Sequence, residues 1–207
     1  YDTAQGHEAL LVRHKDGADG AVPSANAVAA SVLARLSCHL DRDDFREAAV
    51  GAIQAYGRPI GQHPRAFCRS LAVVDFLLEG PVEVALVGTP GAAGFEALRG
   101  ALGRRFLPNR IVAHHDPAGT PTPDLPLLRG KSLVDGKAAL YVCRNFACQA
   151  PVTDPANLAP ALEARTGAAP DQARTGIARL RPSRAAPAAT AARAARFVAA
   201  GLAHGYG

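Results

Sequence analysis

The chain has no methionine and no tryptophan, and aromatic residues make up only 5% of its 207 positions. A core without large aromatics must rely on aliphatic side chains and close backbone approach. The absent methionine also removes the initiator position, and trimming an initiator would rarely leave a large Tyr1 exposed. The expectation is a piece cut from a longer chain. Long apolar runs are missing too: LAVVDFLL at 71–78 and VEVALVG at 82–88 are short and each carries an acid. A membrane-spanning helix needs about twenty apolar residues, so a transmembrane reading is excluded.

Cysteine is scarce. The four present are Cys38, Cys68, Cys143 and Cys148, far fewer than a disulfide scaffold uses. That frequency fits a reducing compartment and a cytoplasmic protein. Acidic residues are scarce only at one end. The net charge is +5, but from Ala164 to Gly207 seven arginines face the single acid Asp171. The preceding 163 residues therefore sum to about −1, and a near-neutral body has no electrostatic reason to seek phosphate backbones. The basic tail lacks interleaved aromatics, so nucleic acid is not an expected partner.

What is present falls into two patterns. Residues 1–22 read as an extended lead-in and a turn. Ser24 then stands as an N-cap for a helix in which Val28, Val32, Leu36 and Leu40 recur every four residues. Asp44 and Glu47 have capping-box spacing for a second helix with Phe45, Ala48, Ala49, Ala52, Ile53 and Tyr56 on one face, stopped by Gly57 and Pro59. The short join predicts an antiparallel hairpin. A third helix runs from Pro64 through Phe67, Leu71, Val74 and Leu78 to Gly80 and Pro81.

Beyond residue 81 the pattern changes to VEVALVG as a buried strand, TPGAAGFEALRGALGRRF as a helix opened by Thr89 and Pro90, and RIVAH as a strand. A strand, helix, strand order predicts parallel pairing. A Pro-rich loop and a third strand, AALYVC at 138–143, follow. From 163 on, the chain is Ala, Arg and Pro, with an Ala-rich helix from Pro187 to His204 that buries too little area to anchor itself. Helical hairpins over 1–80, a small parallel α/β unit over 81–162 and a poorly ordered basic tail over 163–207 make a mixed α and β chain.

Chemistry concentrates in few places. Cys143 and Cys148, with four residues between them in YVCRNFACQAPVTDP, admit three readings: packed structural cysteines, a redox or disulfide pair, and half of a zinc site. The usual redox dithiol leaves two intervening residues, and no ligand pair at zinc spacing accompanies these, since His114 and His115 are adjacent. Asp19, Ser24 and Asn26 cluster at a helix start, where carboxylate, hydroxyl and amide serve either a turn with its N-cap or a pocket for sugar hydroxyls or acid–base work. GTPGAAG at 88–94 follows a strand but lacks phosphate-loop spacing, so it reads as turn and cap. His7, His14, His39 and His63 are scattered. No cofactor or metal is expected.

Taken together, HEALLVRHKDGADGAVPSANAVAA (7–30), EVALVG (83–88), RRFLPNRIV (104–112) and VDGKAALYVCRNFACQAPVTDP (134–155) resemble the C-terminal part of the spermatogenesis-associated protein 20 family. The match to CxNFxCQAP is complete, through Cys143, Asn145, Phe146, Cys148, Gln149, Ala150 and Pro151. Where that family reads DGAxPSGNS, this chain has Ala25 and Ala27 but keeps Asp19, Ser24 and Asn26. The resemblance implies a longer protein with a thioredoxin-like domain followed by an α/α toroid similar in shape to six-hairpin glycosidases. This chain would hold an incomplete part of that toroid, with self-association or marginal stability as a consequence. Its partners would be the missing thioredoxin-like and toroid portions, and a small saccharide. Three functional expectations follow: a carbohydrate-active toroid using Asp19, Ser24 and Asn26, a redox-associated module using Cys143 and Cys148, and an interaction module without catalysis.

Overall fold

Small residues form the buried face of the first helix of this chain. In a computed structural model that describes residues 16–119, 124–144 and 147–164, the chain divides into a helical unit ending at Glu79 and a sheet unit beginning at Gly80, which also takes in Cys38–Asp41. The lead-in before residue 16 and the tail from 165 on, with the helix expected over 187–204, lie outside the described residues. Among those described, no helix is long and apolar enough to cross a membrane.

The helical unit is built from α1 (Ala25–Leu40), α2 (Asp43–Gln54), the short α3 (Gly57–Gln62), a 3-10 turn at Pro64–Phe67 and α4 (Cys68–Glu79). Asn26 at the start of α1 donates its amide to the Ala52 carbonyl near the end of α2, 2.9 Å away, so these helices run antiparallel. Arg69 at the start of α4 reaches Ser31, and Arg35 lies 5.0 Å over the Phe76 ring, so α4 runs alongside α1 in the same direction.

The buried face of α1 is Ala27, Ala30, Ser31, Ala34 and Ser37. The expected stripe of Val28, Val32, Leu36 and Leu40 is instead 36% to 50% exposed. Period alone fitted both faces, and in the folded chain it is the face of small residues that is buried. Two further expectations are corrected. Asp44 does not cap α2, because its carboxylate is bound by Arg42, the N-cap residue. Gly57 and Pro59 do not end the helical run; they open α3.

The sheet unit has four strands in the order β2-β1-β3-β4: β1 (Val82–Val87), β2 (Arg110–His115), β3 (Ala139–Arg144) and β4 (Ala147–Cys148). β1 and β2 are parallel, joined by α5 (Ala93–Gly103). Helix α5 starts at Ala93 after an Ala92 N-cap, later than Thr89 and Pro90 suggested.

The sheet is mixed and not wholly parallel, since β3 pairs antiparallel with β1, Ala139 opposite Val87. The reason is geometric. The chain leaves β2 at the end of the sheet where β1 also finishes, and re-enters β3 from that same end. On the way, the 3-10 turn Pro126–Leu128 buries Leu127. One sheet face packs Val82, Val84, Leu86, Leu140 and Val142 against Phe95, Leu98 and Leu102 of α5 and Leu158 and Leu162 of α6 (Leu158–Glu163). The opposite face carries Glu83, Ala85, Val87, Ile111, Ala113, Tyr141 and Cys143 by strand alternation.

Candidate functional site

Asp19 stands where two helices begin. Its Oδ1 accepts from the Ser24 N–H at 3.0 Å and its Oδ2 from the Arg69 N–H at 2.8 Å, while its own N–H donates to the Ala66 carbonyl at 2.7 Å. One carboxylate thus satisfies orphan donors at the starts of both α1 and α4, where negative charge also favours the helix dipoles. Ser24 is buried and its Oγ accepts from the Ala27 N–H at 3.3 Å, the geometry of an N-cap. Asn26 spends its amide on Ala52. The three residues singled out by sequence are brought together, but the Asp19 carboxylate, the Ser24 Oγ and the Asn26 amide nitrogen are each engaged with backbone. The saccharide expectation draws no support from this arrangement.

The cysteines form a different kind of site. Cys143 on β3 lies directly opposite Cys148 on β4, with Cα atoms 3.9 Å apart, and the two are joined as a disulfide. Gln149 N–H donates to the Val142 carbonyl, which leaves the Cys143–Cys148 pair in the narrow, non-hydrogen-bonded register. This bond removes the zinc half-site reading for the oxidised chain. Among the described residues no group of three or more His, Cys, Asp or Glu side chains could hold a metal ion. The two sulfur-bearing residues differ sharply in setting: Cys143 is fully buried, and Cys148 is exposed. Gln149 and Arg144 reach the Ala164 and Leu162 carbonyls and tie the hairpin to the end of α6. Cys38 and Cys68 are not part of a disulfide.

Next to the disulfide, Glu83 of β1 is opposite Cys143 in the strand register and only 3% exposed. Sequence reasoning passed over it, although an acid in the middle of VEVALVG was the visible signal. On the same face Lys131 Nζ lies 5.9 Å from the Tyr141 ring centroid. Burial pushes the Lys131 ammonium below its ordinary value, and the Glu83 carboxylate opposes that shift. The Tyr141 hydroxyl donates to the Ser132 carbonyl at 2.9 Å.

The Gly88–Gly94 loop is occupied by its own chemistry. The Thr89 hydroxyl donates to Asp116 Oδ1 at 2.9 Å, and Gly91 N–H donates to Glu96 Oε1 at 3.1 Å. His114 uses Nε2 toward the Gly88 carbonyl at 2.9 Å, and its ring lies tilted against Phe95 with centroids 4.9 Å apart. His39 is in the last turn of α1 and His63 caps α3, so the histidines do not converge, and His7 and His14 lie outside the described residues.

Spermatogenesis-associated protein 20 from mouse is 30% identical over 151 residues, 72% of this chain and 19% of its own length. The rat and human proteins of that name match over the same span at the same identity. This chain is homologous to spermatogenesis-associated protein 20. It spans about a fifth of the length of these homologues. No family model matches the chain, and no solved structure matches it.

Proposed function

We propose that this chain is a redox-associated module of a longer thioredoxin domain-containing protein, in which the Cys143–Cys148 disulfide is opened and closed by exchange with a dithiol. The observation that carries this reading is the asymmetry of the bond: one sulfur-bearing residue buried on a central strand, the other exposed on a two-residue edge strand. Exchange starts with thiolate attack on an accessible sulfur, which here is that of Cys148, and Cys143 is then the sulfur that leaves and returns. A purely structural staple is a weaker explanation. The closed loop is so short that the entropic model assigns it only about 2 kcal/mol, and β3 is already held in the sheet by its ladder to β1.

The dithiol is expected from the thioredoxin-like portion of the longer protein, with the helical unit forming part of its α/α toroid. A cytoplasmic setting suits a bond that cycles, because a reducing compartment would not sustain a permanent one. Nucleic acid and membrane have no part in this reading.

The test is to equilibrate the folded chain in glutathione buffers of graded potential, quench with an alkylating reagent and count modified cysteines by mass spectrometry. Cys143 and Cys148 should interconvert within the native state, and a Cys143→Ser chain should trap a mixed disulfide on Cys148. If the bond resists thiols until the chain unfolds, the redox reading is wrong.

A further inference from the structure

β2 is an outer strand of the sheet, with β1 as its neighbour on one side. The carbonyls of Asn109 and His115 accept from the Val82 and Gly88 N–H groups and so point toward β1. Backbone groups alternate in direction along a strand, so the N–H and C=O of Arg110, Val112 and His114 point out of the sheet. No described residue hydrogen-bonds to the outward backbone of Val112 or His114. Natural sheets commonly blunt such an edge with a lysine, a proline or a bulge. The middle of β2 has none of these: Ile111, Val112 and Ala113 are uncharged, the register with β1 is unbroken from Arg110 to His115, and Val112 is 40% exposed.

The loop that feeds this strand adds a second, independent feature. Phe106 is 91% exposed, the most of any large apolar side chain among the described residues. The loop around it is held in place, since Leu107 packs against the sheet core and the Arg104 and Arg105 N–H groups donate to the Gly100 and Leu102 carbonyls. Arg104 and Arg105 are exposed. Elsewhere Arg42, Arg99 and Arg129 each hold a carboxylate, but no described carboxylate pairs with Arg104 or Arg105. An aromatic ring beside unpaired guanidinium groups is the composition that dominates protein recognition surfaces.

We infer that the outer edge of β2 and the Arg104–Phe106 tip form one docking surface for an extended acidic peptide segment. The segment adds a fifth strand beside β2, lays an apolar side chain on Phe106 and sets carboxylates against Arg104 and Arg105. Each outward residue of the edge offers both a donor and an acceptor, and another polypeptide strand answers both. A nucleic-acid backbone offers phosphate oxygens that only accept, which leaves the outward carbonyls unmet. A second copy of β2 contains no acid, so edge-to-edge pairing of two chains leaves the arginines unanswered. The inference is independent of the redox reading, because β4 with Cys148 is at the opposite edge of the sheet.

The experiment titrates the isotope-labelled full chain with a capped peptide of alternating valine and glutamate, followed by amide NMR and hydrogen exchange. A peptide with lysine in place of glutamate is the comparison. The glutamate peptide should bind saturably, shift the amides of residues 104–106, Val112 and His114, and slow exchange at Val112 and His114. The lysine peptide should bind roughly tenfold more weakly or less, and so should the glutamate peptide to an Arg104→Glu, Arg105→Glu double variant. Phe106→Ala should weaken binding severalfold. These side chains are exposed, so the β1 amides should keep their protection in every variant. No saturable binding, equal binding of the two peptides, or shifts confined to other residues overturns the inference. So does protection of Val112 and His114 that rises with chain concentration in the absence of peptide, which assigns the edge to a second copy, or tighter binding of a single-stranded DNA oligonucleotide at the same residues.

Discussion

Replacing Asp19 with alanine should destabilise two helices at once. The carboxylate accepts backbone N–H groups from Ser24 and Arg69 at 3.0 and 2.8 Å. Hydrogen bonds to charged groups contribute about 1.5–3 kcal/mol each. The site is partly exposed, so water replaces some of what is lost, and a total of about 2–4 kcal/mol follows. For a chain of this size that amounts to a fall in Tm of roughly 5–15 °C. Because the chain has two units, a single melting curve would blur the effect. Amide hydrogen exchange separates it: protection at Ser24 and at Arg69 should fall together, while the β1 amides keep theirs. Asn at position 19 retains one acceptor oxygen and should restore about half of the loss. A change below about 0.5 kcal/mol, or fraying at only one of the two amides, would refute the double-cap argument.

Two further predictions concern the sheet unit. Gly88 has φ +151° and a Cβ there would meet the Ala138 methyl at 2.8 Å, so Gly88→Ala should cost roughly 1–3 kcal/mol in urea unfolding followed by near-UV spectroscopy. The Glu96 carboxyl is held below the usual carboxylate range, first by the Arg99 side chain and then by the Gly91 N–H. A depressed folded value means that its stabilisation is present above the unfolded carboxylate range and is lost as pH falls through the folded value. The urea midpoints of wild type and Glu96→Gln should therefore differ at neutral pH and converge in acid.

The pieces legible in the sequence were those with one dominant physical cause. VEVALVG and RIVAH separated by a helical stretch could pair only in parallel, and they do. The direction of β3 was not legible, because it depends on the end of the sheet at which a Pro-rich loop delivers the chain. β4 has only two residues, too few to carry a period. Asp19, Ser24 and Asn26 were found as a cluster, but residue type cannot tell a carboxylate that faces a ligand from one that faces two helix ends. The cysteine spacing set this pair apart from the usual dithiol with two intervening residues, and in the structure the two residues face each other on neighbouring strands. Glu83 was missed because its neighbour is distant in sequence and becomes adjacent only through strand register.

The orientation of α1 has a consequence for how this chain tolerates change. Its inward positions Ala27, Ala30 and Ala34 are at most 1% exposed, whereas Val28, Val32 and Leu36 point outward. The helix therefore stores its information as size limits and not as greasiness. A substitution scan should read as a volume filter on one side, intolerant even of an added methylene, and nearly permissive on the side where the bulkiest residues sit. Evolutionary drift along such a helix can exchange its outward valines freely, while its alanines stay fixed by the lack of room around a buried side chain.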